Sequence, residues 1–100
     1  FVVAGNSVIG MGHVYNTLSI ANEILEHRII FIATKGSELA FNKINESNYE
    51  VHMQVEESLI DDIVKLNPDI IINDIMDTKE EYINELKSRQ YREIIIENKL

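Results

Sequence analysis

Five short apolar runs, the first four each followed within a few residues by a stretch of helical character, constrain this chain more than any other feature. The runs fall at residues 1–4, 29–33, 49–55, 69–74 and 91–97. Ile29-Ile-Phe-Ile-Ala33 is continuous and rich in β-branched side chains, the pattern of a strand covered on both faces. Asp69-Ile-Ile-Ile-Asn-Asp74 reads the same way. Residues 49–55 alternate instead, with Tyr49, Val51, Met53 and Val55 on one face and Glu50, His52 and Gln54 on the other, which predicts an edge strand with one wet face.

Between these runs the period changes. Val14, Leu18, Ala21, Ile24 and Leu25 predict a helix that opens at Gly12 or His13 and runs to about residue 26 or 27. Leu39, Ala40, Phe41 and Ile44 predict a second over 38–48, with Ser37 as its N-cap. A third, capped by Ser58, carries Leu59, Ile60, Ile63, Val64 and Leu66 and is stopped by Asn67-Pro68. A fourth covers about 78–89, where Thr78-Lys-Glu-Glu81 has the capping-box pattern. Short crossovers between strands force parallel pairing, so the expected fold is a three-layer α/β/α Rossmann-like domain. Its five-stranded parallel sheet is expected in the order 3-2-1-4-5. The first and fourth strands then lie side by side at the topological switch point, and the loops after Gly5 and Asp74 face one crevice.

At 100 residues the chain holds one domain at most, and 45% apolar residues suit a globular core rather than disorder. A net charge of −8, with nine scattered Lys and Arg, argues against a nucleic-acid surface. No cysteine is present, so disulfides and thiolate metal sites are excluded, and no His, Asp and Glu group has metal-ligand spacing. No apolar run approaches the roughly 20 residues of a membrane-spanning helix. No membrane partner is expected, and the cytoplasm is the default. The chain begins inside a strand with Phe1 and stops just past another, as expected for a piece of a longer protein.

The chemistry concentrates in residues 6–21, Asn-Ser-Val-Ile-Gly-Met-Gly-His-Val-Tyr-Asn-Thr-Leu-Ser-Ile-Ala. A strand that turns through a glycine-bearing loop into a helix presents backbone N–H groups to anionic ligands at the carboxyl edge of the sheet. The dinucleotide fingerprint fails, because Tyr15 stands at its third glycine and Ala33-Thr-Lys35 replaces the acidic residue that should end the second strand. The phosphate-loop motif is also missing, so no cofactor is expected. What remains distinctive is His13 at the mouth of the helix. A helix N-terminus favours a neutral imidazole, the form that serves as a general base. Asp74, with Asn73 before it and Asp77 after, ends the fourth strand beside the same crevice and is placed to orient His13 or to accept a substrate hydroxyl. His52 is expected to be solvated, His27 to close the first helix, and Asp61-Asp62 and Glu80-Glu81 to be solvated helix faces. A receiver domain is excluded by Ala4-Gly-Asn-Ser7, which lacks the acidic cluster after the first strand.

Through Ile9-Gly-Met-Gly-His13 and the following Leu18-Ser-Ile-Ala21, the chain resembles the UDP-sugar hydrolases of pseudaminic acid biosynthesis. These often occur with, or fused to, acylneuraminate cytidylyltransferases and spore-coat polysaccharide proteins. The wider resemblance is to GT-B glycosyltransferases, including those that make lipid II. The resemblance implies that His13 activates water, that Asp74 is its helper, and that Asn6, Ser7, Gly10, Met11 and Gly12 shape the sugar and phosphate pocket. It also implies a nucleotide-sugar substrate and a second Rossmann-like domain of the same chain that makes most nucleotide contacts. The chain departs from the family pattern at Ala4, usually Asp, at Asn16, usually Arg, and at Ile75-Met76, usually His-Tyr. The alternatives are a GT-B glycosyltransferase acceptor domain and a non-catalytic regulatory or assembly domain, which the substitutions at 4 and 16 favour.

Overall fold

A computed structural model describes residues 1–24, 26–75 and 80–96. Its strands are β1 (Val2–Val3), β2 (Ile30–Ala33), β3 (Glu50–Met53), β4 (Ile70–Asp74) and β5 (Arg92–Ile95). They alternate with α1 (Gly12–Glu23), α2 (Glu38–Glu46), α3 (Leu59–Leu66) and α4 (Glu80–Ser88). All pairings are parallel and the sheet order is β3-β2-β1-β4-β5, as the alternation predicts.

The two sheet faces hold separate apolar cores. On one, Val14, Leu18 and Ala21 of α1 and Ala40 and Ile44 of α2 pack on Val3, Phe31 and Ala33. On the other, Ile63 of α3 and Leu86 of α4 pack on Val2, Ile32 and Ile71. Alternation along each strand divides its side chains between these layers, which gives the three-layer, Rossmann-like sandwich. β3 lies at the sheet edge, with Glu50 and His52 exposed and Val51 and Met53 half-buried.

Boundaries differ from the periodicity in instructive places. β1 is two residues long, although the ladder reaches further, since Ile32 N–H donates to Phe1 O at 2.8 Å and Thr34 N–H to Val3 O at 3.0 Å. α1 ends at Glu23, short of residue 26, because Ile24 leaves helical geometry at φ −120° while its N–H bonds to the Ala21 carbonyl. His27 therefore lies past the helix end and exposed, and does not close it. α2 stops at Glu46 rather than 48, with Asn48 turned into the left-handed region at φ +65°.

Ser37 stands at the N-cap of α2, but its hydroxyl makes no capping bond. It faces inward, accepts the Gly5 N–H at 3.2 Å and pairs with Thr34 Oγ1 at 2.9 Å. Ser58 likewise precedes α3 without capping it by its side chain, and Asn67, left-handed at φ +47°, ends that helix as the Asn-Pro pair predicts. Asp61 is a solvated residue of α3, but Asp62 is not: it is buried, and its carboxylate accepts the Val55 N–H at 3.1 Å and the Glu56 N–H at 2.9 Å. Two backbone donors after β3 would otherwise lack partners, so an acid at this position closes the connection to α3. Glu80 and Glu81 are exposed, as expected. The capping box from Thr78, together with Leu25, Met76, Asp77 and the last residue of the predicted 91–97 strand, lies outside the described residues.

Candidate functional site

β1 and β4 are neighbours, and their register sets Val3 opposite Asp74 at the carboxyl edge. Past Val3 the chain makes a closed turn, in which Gly10 N–H donates to Asn6 O at 2.8 Å. The Asn6 side chain holds it from within, its Oδ1 accepting the Val8 N–H at 2.8 Å and the Ile9 N–H at 2.9 Å. Gly10 has φ +82°, a left-handed conformation that costs a side-chain-bearing residue about 1 kcal/mol or more and glycine nothing. Met11 then caps α1 with no side-chain bond, and Gly12 is its first residue.

His13 follows in the first turn, 9% exposed. Its Nδ1 lies 2.6 Å from Asp74 Oδ1, and Asp74 is fully buried. The carboxylate is an acceptor, so Nδ1 carries the proton and donates it, and in the neutral ring the lone pair is then on Nε2. Asn16, one turn further along the same helix face, donates from Nδ2 to Asp74 Oδ2 at 3.0 Å. Thr17, fully buried, donates to the His13 and Val14 carbonyls at 3.0 and 2.9 Å and ties down the backbone of that turn.

The structure thus brings His13 and Asp74 together across 61 residues of sequence, as the strand order requires. The predicted pocket residues separate into two kinds. Asn6 spends its side-chain oxygen inside the turn, and Met11 packs on the core between α1 and α2. Ser7, Gly10 and Gly12 are exposed, and a Cβ added at either glycine would meet nothing within 4 Å. Asn73 does not share this crevice. It faces the opposite layer, where its Oδ1 accepts the Tyr82 hydroxyl at 2.6 Å and its Nδ2 lies 3.5 Å from Glu93 Oε1. Glu93 Oε2 is out of solvent there, with no hydrogen-bond partner among the described residues. Burial raises the Glu93 carboxyl above its ordinary range, and burial followed by the Glu93 charge raises the Tyr82 phenol. His52 is exposed and pairs with Glu50 at 3.0 Å, as its wet face predicts.

The residue that motif comparison passed over is Asn16, which reads as a departure from Arg. The signal for it is its spacing: three residues after His13 on a helix, it must face the same way. Among the described residues no group of three His, Asp or Glu side chains could hold a metal ion, and no helix is long and apolar enough to cross a membrane.

Fold and site together define a Rossmann-like α/β chain with a buried, amide-braced His–Asp pair at the switch point of its sheet. No family model matches it, and no solved structure matches it. The chain is similar to the uncharacterized protein MJ1062 of Methanocaldococcus jannaschii, with 29% identity over 100 residues that cover 97% of this chain and 21% of the relative. It therefore spans about a fifth of that relative's length.

Proposed function

We propose that this chain is the amino-terminal wall of a nucleotide-sugar hydrolase site, with His13 as general base and Asp74 as its orienting acid. One observation carries the reading: the 2.6 Å contact of His13 Nδ1 with a fully buried carboxylate, at the carboxyl edge of the sheet beside the Gly10–Gly12 turn. Such a pair holds the imidazole in one tautomer and one orientation, the arrangement general-base catalysis uses. In the proposed reaction water adds to the anomeric carbon of a UDP-sugar and its proton passes to His13. The bond from that carbon to the diphosphate oxygen breaks, and UDP leaves with the bonding pair. Backbone N–H groups at the start of α1 favour the negative diphosphate despite the acidic surface. A second Rossmann-like domain of the same protein supplies the remaining nucleotide contacts, in a GT-B-type arrangement. The substrate class belongs to surface-polysaccharide synthesis in the cytoplasm.

The test is UDP release from UDP-sugars by the full-length protein. His13→Ala is expected to lower kcat by about 10²–10⁴-fold, the usual share of a general base. Unchanged turnover in that variant would end the mechanism. UDP released only when a sugar acceptor is supplied would instead assign a glycosyltransferase. No saturable nucleotide-sugar binding would leave the regulatory or assembly reading.

A further inference from the structure

We infer that Asn16 is a positioning residue: its amide fixes the plane of the Asp74 carboxylate and thereby the tautomer and orientation of His13. The inference rests on the His13–Asp74 pair being the working pair of the proposed site.

A carboxylate on a short stem turns broadly about its last bond, and donors on both of its oxygens narrow that rotation more than a donor on one. Asn16 Nδ2 meets Oδ2 at 3.0 Å while His13 Nδ1 meets Oδ1 at 2.6 Å, so the carboxylate is gripped through both oxygens from one helix face. Because Oδ2 only accepts, the amide must present its nitrogen, which settles the orientation of Asn16 as well. The grip has a rigid base, since Val14, Thr17 and Leu18 of the same two turns are buried.

The identity of the residue also matters. An Arg at this position would place a positive charge against Asp74 and compete with the imidazole for it. A neutral amide orients the carboxylate without cancelling its charge, so the full charge acts on the His13 ring. The substitution that departs from the hydrolase pattern is on this account a different way of holding the same pair.

The experiment is long-range ¹H–¹⁵N NMR of the full-length protein labelled at histidine, with His13 assigned by its absence in His13→Ala. In the unmodified protein His13 is expected as a single tautomer protonated at Nδ1. Asn16→Leu keeps the shape and removes the donor. It is expected to broaden or abolish the Nδ1 proton signal, with the circular dichroism spectrum retained. Asn16→Ser is the second variant should Leu fail to fold, since it keeps a polar side chain too short to reach Oδ2. A merely structural Asn16 would alter melting and leave the tautomer and the Nδ1 proton signal unchanged, and that result in a folded variant overturns the inference. Failure of the functional reading looks different. If the tautomer is lost while UDP release by the full-length protein is unaffected, Asn16 positions the pair as inferred and the pair is not the catalytic base.

Discussion

Replacing Gly5 by Ala tests how tightly the fold holds the site. Gly5 is buried where β1 passes into the turn, with its N–H on Ser37 Oγ at 3.2 Å and its carbonyl accepting the Ala40 N–H at 3.3 Å. A Cβ there would stand 2.7 Å from Val14 Cγ2, 2.9 Å from Met11 Sδ and 3.3 Å from Ala40 Cβ. The thioether can swing aside. Val14 has one favoured rotamer in a helix, and Ala40 Cβ moves only with its backbone, so α1 must shift away from the sheet. Overpacking of this kind costs about 1–3 kcal/mol. The loss of glycine's freedom in the unfolded chain returns about 0.4–1 kcal/mol. The net of about 1–2 kcal/mol corresponds to a fall in Tm of roughly 5–15 °C for a domain of this size. Because the displaced turn carries His13, the contact with Asp74 should lengthen as well. Thermal unfolding by circular dichroism, paired with the imidazole NMR signal of His13, reads both effects. A Tm within about 2 °C of the parent, with the His13 signal in place, would refute the claim that the turn is packed against Gly5 without slack.

Two further outcomes concern groups away from the crevice. Asp62→Ala strips the acceptors from the Val55 and Glu56 amides, and should lower stability by about 1–3 kcal/mol in urea unfolding, with Asp62→Asn in between. At Glu93, burial keeps the proton on the folded protein to higher pH than on the unfolded chain. The stability this group contributes is therefore full below its ordinary value of 4.5 and is lost as pH rises through the raised folded value. Glu93→Gln removes that titration, so its Tm advantage over the parent should grow as pH rises from acid to neutral; parallel curves would sink the assignment.

The sheet was legible because its signal is repeated: five apolar runs separated by helical stretches imply parallel pairing through helical crossovers, and the order 3-2-1-4-5 was the expected one of the doubly wound arrangements. What the pattern could not convey was which polar groups the tertiary fold would capture. Ser37 sits where an N-cap belongs, yet Gly5, 32 residues earlier, takes its hydroxyl. Asp62 looks like its neighbour Asp61 until the strand end at Val55 is brought beside it. The far end of α1 misled for a related reason, since Ile24 continues the apolar pattern as a half-buried residue after the backbone has left the helix. At the site, His13 and Asp74 were readable from residue type and edge position. Asn16 was obscured because a motif comparison scores identity, while the helix only requires a donor one turn past the histidine.

The polar end of β4 is the strongest physical argument that the edge is functional. Residues 70–72 of that strand are all isoleucine, and Asn73 and Asp74 follow on opposite faces, both fully buried. Asn73 is bonded within the layer of α4 and β5, and Asp74 is bonded to His13 and Asn16 in the layer of α1. A strand selected for stability alone would continue with apolar residues. A buried polar group contributes to stability only when its hydrogen bonds are satisfied, and replacing a satisfied buried pair by apolar groups of the same shape is often close to neutral. Retaining a buried carboxylate at a sheet position where valine or isoleucine would pack, and bracing both of its oxygens from one helix, makes sense if the imidazole it holds has work to do at that edge.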